Sequence, residues 1–142
     1  MDYKYETFGS IKVAWTDALD GGGRSFGRQY LTTVEKRIGP VERAYEFCAG
    51  PGFIGFALLA HGLCKTLCLS DVNPVAVAAV QHTIALNGLE GVVDVYLSDA
   101  LDAIPPHEQW DLVVSNPPHF DGPQQASRED HCVAWGSVSS VG

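Results

Sequence analysis

The stretch Glu46-Phe47-Cys48-Ala49-Gly50-Pro51-Gly52-Phe53-Ile54-Gly55 decides the fold of this 142-residue chain. The apolar run 44–48 leads into two glycines one residue apart, and a helix-like apolar face resumes after Gly52. This order predicts a strand, a tight turn and the start of a helix. Glycine lets the backbone of a turn come close to a ligand, and a helix N-terminus presents free N–H groups. The stretch therefore predicts a site for a nucleotide-like cofactor.

The composition indicates one globular domain with 46% hydrophobic residues and no apolar run of membrane length. The charged start, residues 1–6, does not have the pattern of a signal peptide. The four cysteines, at positions 48, 64, 68 and 132, form neither a paired zinc pattern nor a dense disulfide framework. Cys64 and Cys68 leave a metal pair open, but their place beside a strand favours buried thiols. We therefore expect no metal site and a reducing, cytoplasmic location.

Charge is distributed unevenly along the chain. Residues 1–65 contain eight Lys/Arg and seven Asp/Glu, whereas residues 66–142 contain one and ten. A protein that tracks a duplex usually carries a basic stripe, and the sequence shows none. This distribution argues mildly against a nucleic-acid substrate. Any contact of the chain with nucleic acid would have to be made by residues 4–65.

Strands and helices alternate through the middle of the chain. Apolar runs and turn residues predict strands over 44–48, 66–70, 92–97 and 111–115, with helices over 53–61 and 74–87. Nearer the N-terminus we predict a short edge strand over 11–15, a glycine break at 21–23 and a short helix over 31–38. Strands separated by helices form a parallel sheet, so we expect a Rossmann-like, doubly wound α/β fold. We divide the chain into an N-terminal segment (1–39), a cofactor-binding core (40–122) and a tail (123–142).

Several polar residues fall where these predicted strands end. Glu46–Gly52, Asp71, Asp99 and Asn116 all lie at or just beyond a carboxyl end. Ligands of parallel sheets bind at that edge. We therefore expect these residues to meet at one site.

Two cofactors are compatible with the glycines alone. Gly50-x-Gly52-x-x-Gly55 satisfies the dinucleotide fingerprint, and Asp71 lies about where a ribose-binding acid is expected. An NAD(P)-dependent oxidoreductase is therefore an alternative. Glu46 argues against it, because a pyrophosphate site has no use for an anion inside the strand end.

The pattern Glu46-x-Cys48-x-Gly50-x-Gly52 resembles the first motif of the class I S-adenosylmethionine-dependent methyltransferases. Cys48 replaces the first of the three usual glycines. The resemblance implies S-adenosylmethionine as the cofactor, with Glu46 toward its sulfonium and amino-acid end. It also implies that Gly50 and Gly52 pass beside the amino-acid moiety. An anion near a sulfonium cation is electrostatically favourable.

The same resemblance implies cofactor contacts beyond the turn. Asp71 is expected to bind the ribose hydroxyls, with Val72 or Asn73 beside the adenine. Ser98-Asp99-Ala100 matches the later adenine-binding motif, in which Asp99 accepts a bond from the exocyclic amine. The structural alternatives are that Asp71 caps the helix beginning at Pro74 and that Asp99 caps a turn.

The stretch Ser115-Asn116-Pro117-Pro118-His119-Phe120 resembles the Asn-Pro-Pro-aromatic motif of methyltransferases that act on planar nitrogen, a nucleobase exocyclic amine or a glutamine amide. Such a nitrogen is a poor nucleophile. The Asn116 side-chain oxygen and the Pro117 carbonyl can accept its two N–H bonds, and Pro117 and Pro118 hold those acceptors rigidly. His119 stands at the aromatic place, so either His119 or Phe120 is expected to stack on the substrate.

The resemblance covers the first four of the seven strands usual in the family. Either the chain is a fragment, or the missing layer comes from a partner or from residues 123–142. A non-catalytic cofactor-binding fragment and a homodimer through the open sheet edge are therefore alternatives. The methyl acceptor also stays open between a protein glutamine, an RNA or DNA base and a small nitrogen compound. By the same resemblance, residues 24–30 occupy the place of the segment that covers the cofactor.

Overall fold

A computed structural model describes residues 2–19 and 23–115, the side chains of 23–28 excepted. The described part begins with two strands and a helix and continues as alternating strands and helices. In chain order the elements are β1 (Lys4–Phe8), β2 (Ile11–Trp15), α1 (Gly23–Arg37), β3 (Val41–Glu46), α2 (Phe53–Ala60), β4 (Cys64–Asp71), α3 (Pro74–Asn87), β5 (Val93–Leu97) and β6 (Leu112–Val114). A single 3₁₀ turn, Asp17–Leu19, follows β2. Of the helices described, none is both long and apolar enough to cross a membrane.

The main sheet has four parallel strands in the order β5-β4-β3-β6. The chain runs outward from β3 to β4 and β5, then returns to place β6 on the other side of β3. This reversal at β3 is the topological switch point of a doubly wound sheet. The predicted Rossmann-like α/β fold is confirmed, and β6 stands at the edge of the described sheet.

The two faces of the sheet bury two separate hydrophobic clusters, because neighbouring residues of a strand point to opposite sides. Ala44 belongs to the larger cluster, which the sheet shares with α2 and the N-terminal strands. Its neighbour Tyr45 belongs to the smaller cluster with Cys68, Trp110 and Val113. In that smaller cluster the rings of Tyr45 and Trp110 stack with their centroids 4.1 Å apart.

A buried ion pair crosses the face that carries the smaller cluster. Arg43 donates from Nε and Nη2 to the two carboxylate oxygens of Glu108, at 2.9 and 2.8 Å. Tyr96 and Trp110 also donate to Glu108, and Arg43 Nη2 donates to Asp94 as well. Burial alone would raise the pKa of Glu108, but the bonds from Arg43 and Tyr96 outweigh it and lower that pKa. The network joins β3, β5 and the segment before β6.

The short edge strand predicted over 11–15 is confirmed, although its antiparallel partner and its place outside the main sheet were not predicted. β2 has the predicted bounds but pairs antiparallel with β1, forming a separate two-stranded sheet. Its backbone is bonded to α3, since Asn87 Oδ1 accepts from Lys12 N at 3.0 Å while Asn87 Nδ2 donates to Lys12 O at 2.9 Å. Thr83 Oγ1 accepts from Ala14 N at 2.9 Å. Side chains of α3 therefore take the place of a neighbouring strand.

Other element bounds differ from the prediction at their ends. α1 begins at Gly23 and not at residue 31, so part of the predicted glycine break is helical. The strands predicted over 44–48 and 66–70 are β3 and β4, which begin earlier because Val41 pairs with Cys64. β3 ends at Glu46 because the backbone turns in the next residues. The predicted bounds of α3 are confirmed, with Gly88 in the left-handed conformation after its last turn.

Candidate functional site

The turn between β3 and α2 has a left-handed backbone at every second residue. The φ angles are +52° at Cys48, +55° at Gly50 and +87° at Gly52. Glycine adopts this conformation without steric cost, whereas a residue with a Cβ does so only at a cost of about 1–2 kcal/mol. The alternate spacing of the motif is thus a conformational requirement, and Cys48 meets it under strain.

The two glycines of the turn serve different purposes. A Cβ placed on Gly52 would come within 2.9 Å of the Phe56 ring, so this glycine allows the turn to pack on α2. A Cβ placed on Gly50 would meet nothing within 4 Å among the residues that the structure describes. Gly50 therefore borders open space, as a residue beside a ligand should.

Glu46 lies beneath the turn and is only 2% exposed. Its Oε1 accepts a 2.8 Å hydrogen bond from the backbone N–H of Gly55, in the first turn of α2. Burial, with Asp71 adding to it, raises the pKa of Glu46 to about 8 despite the bond from Gly55. The side chain thus closes the N-terminus of α2, which has no side-chain cap of its own at Gly52. Its predicted contact with a cofactor stays a prediction.

Asp71, at the carboxyl end of β4, connects two loops. Its Oδ2 accepts from Gly50 N at 2.8 Å, and its Oδ1 accepts from Asn73 N at 2.9 Å. The N-cap of α3 is Asn73, whose Oδ1 accepts from Val75 N at 2.9 Å. The structural alternative for Asp71, that it caps α3, was therefore wrong. The carboxylate instead lies between the glycine turn and the start of α3.

The residue after Asp71 presents an apolar surface to solvent. Val72 is 66% exposed, more than the other large hydrophobic residues of the described part. Leu97, which pairs with Asp71 across the sheet, and Leu101 are each 52% exposed. These three side chains surround the carboxyl ends of β4 and β5 with apolar surface that the fold leaves uncovered.

The loop after β5 places Asp99 at the same edge. Ser98 is buried, and its Oγ donates to Ala100 O at 2.8 Å and accepts from Ala103 N at 2.9 Å. Ala100 has a left-handed backbone with φ +52°. Ser98 N donates to Asp71 O at 3.0 Å, which holds this loop beside β4. Asp99 itself is exposed.

The end of β6 is tied to two other elements. Ser115 Oγ donates to Phe47 O at 2.7 Å, and Phe47 N donates to Val114 O at 3.3 Å. From α1, the Tyr30 hydroxyl donates to Ser115 O at 2.9 Å. The predicted catalytic and stacking residues lie outside the described residues: Asn116, Pro117, Pro118, His119 and Phe120.

The structure thus brings Glu46, Gly50 and Asp71 together at one edge, with Ser98–Ala100 beside them. Two residues, Tyr30 and Ser115, connect elements of the site in a way that their sequence context did not indicate. Tyr30 belonged only to the segment 24–30, and Ser115 was merely the residue before Asn116. A tyrosine in a helix gives no signal of its partner, whereas a serine at a strand end directly before the Asn-Pro-Pro motif could have been noticed.

The cysteines of β4 are free thiols within the sheet. Burial raises the pKa of Cys64 and of Cys68 to about 12, so both stay protonated at neutral pH. Among the residues that the structure describes, no group of three or more His, Cys, Asp or Glu is arranged to hold a metal ion.

Comparison with known protein families gives one assignment. The family model described as methyltransferase small domain matches residues 16–133. This match extends from the end of β2 across the whole parallel sheet and beyond the described residues.

Curated proteins similar to the chain carry a common name. The ribosomal RNA small subunit methyltransferase C of Klebsiella pneumoniae subsp. pneumoniae is 35% identical over 122 residues, which are 86% of this chain and 33% of that protein. The protein of the same name from Actinobacillus pleuropneumoniae is 34% identical over 110 residues, covering 78% of this chain and 31% of that protein. The chain thus spans about a third of the length of these relatives.

Solved structures share the fold. M. jannaschii TYW2, determined in complex with AdoMet, superposes with a TM-score of 0.60 and 19% identity, over 79% of this chain and 50% of that one. M. capricolum TrmK, determined in complex with S-adenosylhomocysteine, gives a TM-score of 0.54 and 19% identity, over 69% of this chain and 43% of that one.

Proposed function

This chain belongs to the methyltransferase small domain family, and we propose that it binds S-adenosylmethionine and methylates an exocyclic amine of a base in small-subunit ribosomal RNA. The observation that carries the proposal is the joining of Gly50 and Asn73 by the Asp71 carboxylate, at the carboxyl ends of β3 and β4 and beside the switch point of the sheet. Ligands of doubly wound sheets bind at that point. The names of the curated relatives support RNA as the substrate.

The described residues fit the cofactor. Its amino-acid end is placed over Gly50, where the turn borders open space. The ribose hydroxyls are assigned to Asp71, whose carboxylate lies at the rim of the site, and the adenine is assigned to the exposed apolar face of Val72. Asn73 flanks the same ring, and Asp99 accepts from its exocyclic amine. The methyl group of the sulfonium is what the cofactor contributes to the reaction.

Glu46 acts on the cofactor from below the turn. Its carboxyl bonds Gly55, so the contact we assign to it passes through the backbone of the turn or through water. A cation above the turn favours the ionised carboxyl, because opposite charges attract strongly where water is excluded. Cofactor binding should therefore release a proton from Glu46 when the pH is below about 8.

The acceptor amine is assigned to the loop that follows β6. Asn116 and Pro117 accept its two N–H bonds, Pro118 holds the loop rigid, and His119 or Phe120 stacks on the base. Such bonds orient the nitrogen lone pair, and orientation supplies much of the acceleration in a transfer that needs no metal. Since β3 and β6 are neighbours, Ser115, which precedes this loop, lies beside Phe47 at the start of the glycine turn.

The charge of the chain is compatible with a base-directed role. Within the described side chains, Lys4 and Lys65 form exposed ion pairs with Asp17 and Glu42, and Arg43 is occupied by its network. These three cations contribute little to a phosphate-binding stripe, and the other cations with described side chains, Lys12, Lys36 and Arg37, are exposed but few. We therefore assign to this chain the cofactor and the target base, and not the tracking of the RNA backbone.

Calorimetric titration with S-adenosylmethionine, and separately with NAD, tests the cofactor. We expect micromolar binding of the first and none of the second. Binding of NAD alone would overturn the proposal in favour of an oxidoreductase.

Transfer of a labelled methyl group tests the acceptor. The chain is incubated with labelled cofactor and either a small-subunit ribosomal RNA transcript or a glutamine-containing peptide. We expect label in the RNA, and Asn116→Ala should depress turnover far more than cofactor affinity. Label in the peptide alone would move the substrate class from nucleic acid to protein.

A further inference from the structure

Three hydrogen bonds converge on Val114, the last residue of β6, and on Ser115 directly after it. The Ser115 carbonyl accepts from the Tyr30 hydroxyl at 2.9 Å, and the Ser115 hydroxyl donates to Phe47 O at 2.7 Å. Phe47 N in turn donates to Val114 O at 3.3 Å. Ser115 is therefore fixed on one side by the residue after β3 and on the other side by α1.

The bond from Tyr30 acts on a specific peptide unit. The carbonyl of Ser115 and the N–H of Asn116 belong to one rigid plane, because the peptide bond does not rotate. A donor that fixes this carbonyl fixes the rotation of the whole unit.

The geometry points to Tyr30 as a positioning residue for methyl transfer: its hydroxyl holds the Ser115 carbonyl, in the peptide that leads into the acceptor residues of the proposed function. This inference rests on the proposed function, because it gives Asn116 the role stated there. Tyr30 touches no reacting atom in this account. It acts through Ser115, and Phe47 connects the same peptide to the turn that follows β3.

The chemistry of the hydroxyl suits this role. Burial, and the negative charge of Glu46 after it, raise the pKa of Tyr30 above its ordinary value. The phenol therefore remains protonated and remains a donor throughout the neutral range. α1 carries Tyr30 and packs on α2, whose N-terminus Glu46 closes, so the hydroxyl is supported by the same elements that support the turn.

The substitution Tyr30→Phe removes the donor and keeps the ring. We expect kcat for methyl transfer to a small-subunit ribosomal RNA transcript to fall about ten- to a hundredfold, because a small displacement of the acceptors is costly. The Kd for S-adenosylhomocysteine should change by less than about twofold, since no cofactor contact is removed. Tyr5→Phe is the matched control, because Tyr5 loses only an exposed bond to His82 and should behave as wild type.

A second measurement does not depend on turnover. Backbone ¹⁵N relaxation of the full chain should show greater motion at the amides of Ser115 and Asn116 in Tyr30→Phe, and no change at Ala49 and Gly50. A merely structural role would instead lower the melting temperature and affect both regions alike.

The outcomes separate the two proposals. Unchanged relaxation at Ser115 and Asn116, or an unchanged kcat in an active protein, would overturn the positioning role. A wild-type chain that neither binds the cofactor nor transfers methyl would overturn the proposed function. In that case the relaxation data alone decide whether Tyr30 holds the peptide.

Discussion

Cys48 occupies a backbone conformation that its neighbours in the motif satisfy with glycine. Its φ of +52° is strained for a residue with a Cβ. Replacing Cys48 with glycine should relieve that strain, and after the larger chain entropy of glycine we expect a gain of about 0.5–1 kcal/mol in the free energy of unfolding. Urea denaturation followed by circular dichroism measures this change.

The adjacent alanine provides the control for that substitution. Ala49 is buried and has no left-handed backbone, so Ala49→Gly should cost about 0.5–1 kcal/mol. If Cys48→Gly destabilised the protein as much as Ala49→Gly, the strain at position 48 would not exist.

Glu46 should make stability depend on pH. The folded-state pKa is about 8 against an ordinary value of 4.5, so the native protein holds this proton where the unfolded chain has lost it. Glu46 therefore opposes folding progressively as pH rises from about 4.5 to about 8, by about 1.4 kcal/mol per pH unit at most. Glu46→Gln keeps an acceptor for Gly55 N and cannot ionise.

Unfolding free energies of wild type and Glu46→Gln at pH 5.5, 7 and 8.5 test this. We expect the free energy of unfolding of Glu46→Gln, relative to wild type, to increase at each step to higher pH. A constant difference between the two proteins would show that the carboxyl ionises in the native state as it does in water.

The sequence indicated that Glu46 was unusual but not why it is buried. An acid in an apolar strand suggested a cationic ligand, which stays a prediction. Its bond to Gly55 could not be foreseen, because it depends on how α2 leaves the turn and packs against β3. The strain at Cys48 was easier to predict from the sequence. Glycines at positions 50 and 52 already indicate a left-handed backbone at every second residue of the turn, and Cys48 is the preceding position in that series.

At the scale of elements, Asn87 connects β2 to α3. Its side chain exchanges two hydrogen bonds with the backbone of Lys12, replacing a strand partner. Asn87→Ala would leave both groups of Lys12 dependent on water, and we expect a loss of about 1–3 kcal/mol. Gln81, exposed on the same helix, is the control, and Gln81→Ala should be neutral.

Amide hydrogen exchange locates this effect. The amides of β1 and β2 should exchange faster in Asn87→Ala, while those of β3 and β4 keep their protection. Equal acceleration in both sheets would mean that the contact stabilises the whole fold and not the N-terminal pair of strands.

The elements that the sequence predicted well carry local signals. α3 has a capping Asn73, a proline in its first turn and a glycine after its last, and each of these acts within a few residues. α1 was predicted too short because Gly23 and Gly27 indicated a break, whereas the helix in fact runs through both glycines from Gly23 to Arg37. β1 was missed, since only Phe8 of its residues is buried and its pairing depends on β2.

For the molecule as a whole, two buried carboxyls give opposite pH dependences. The pKa of Glu108 is lowered by Arg43 and Tyr96, so its contribution is present above the ordinary pKa and is lost as pH falls. Glu46 acts in the other direction. We expect the free energy of unfolding to be greatest in mildly acidic solution, falling on both sides.

Glu108→Gln should remove the acid limb of this profile. It leaves Arg43 largely buried without its main carboxylate, and we expect a loss of about 2–4 kcal/mol at neutral pH. Asp94→Asn removes the more exposed partner of the same guanidinium and should cost less than about 1 kcal/mol. Similar losses in the two variants would contradict the assignment of the network to Glu108.

The sequence analysis predicted the doubly wound parallel sheet but not this network. The partners Arg43 and Glu108 are 65 positions apart, and both look like ordinary surface charges in the sequence. Only the packing of the segment before β6 across β3 and β5 buries them together. Long-range polar contacts of this kind depend on the assembled sheet.

The two clusters on opposite sides of the sheet each contain one tryptophan, Trp15 and Trp110. Trp15 meets Phe53 edge-on, and Trp110 stacks on Tyr45. Once Trp135, outside the described residues, is changed to phenylalanine, one tryptophan remains as a fluorescent probe in each of the two clusters. Single-tryptophan versions would let intrinsic fluorescence follow each side separately during denaturation. Coincident curves would show one cooperative unit, whereas separate curves would show that the two sides of the sheet unfold in different steps.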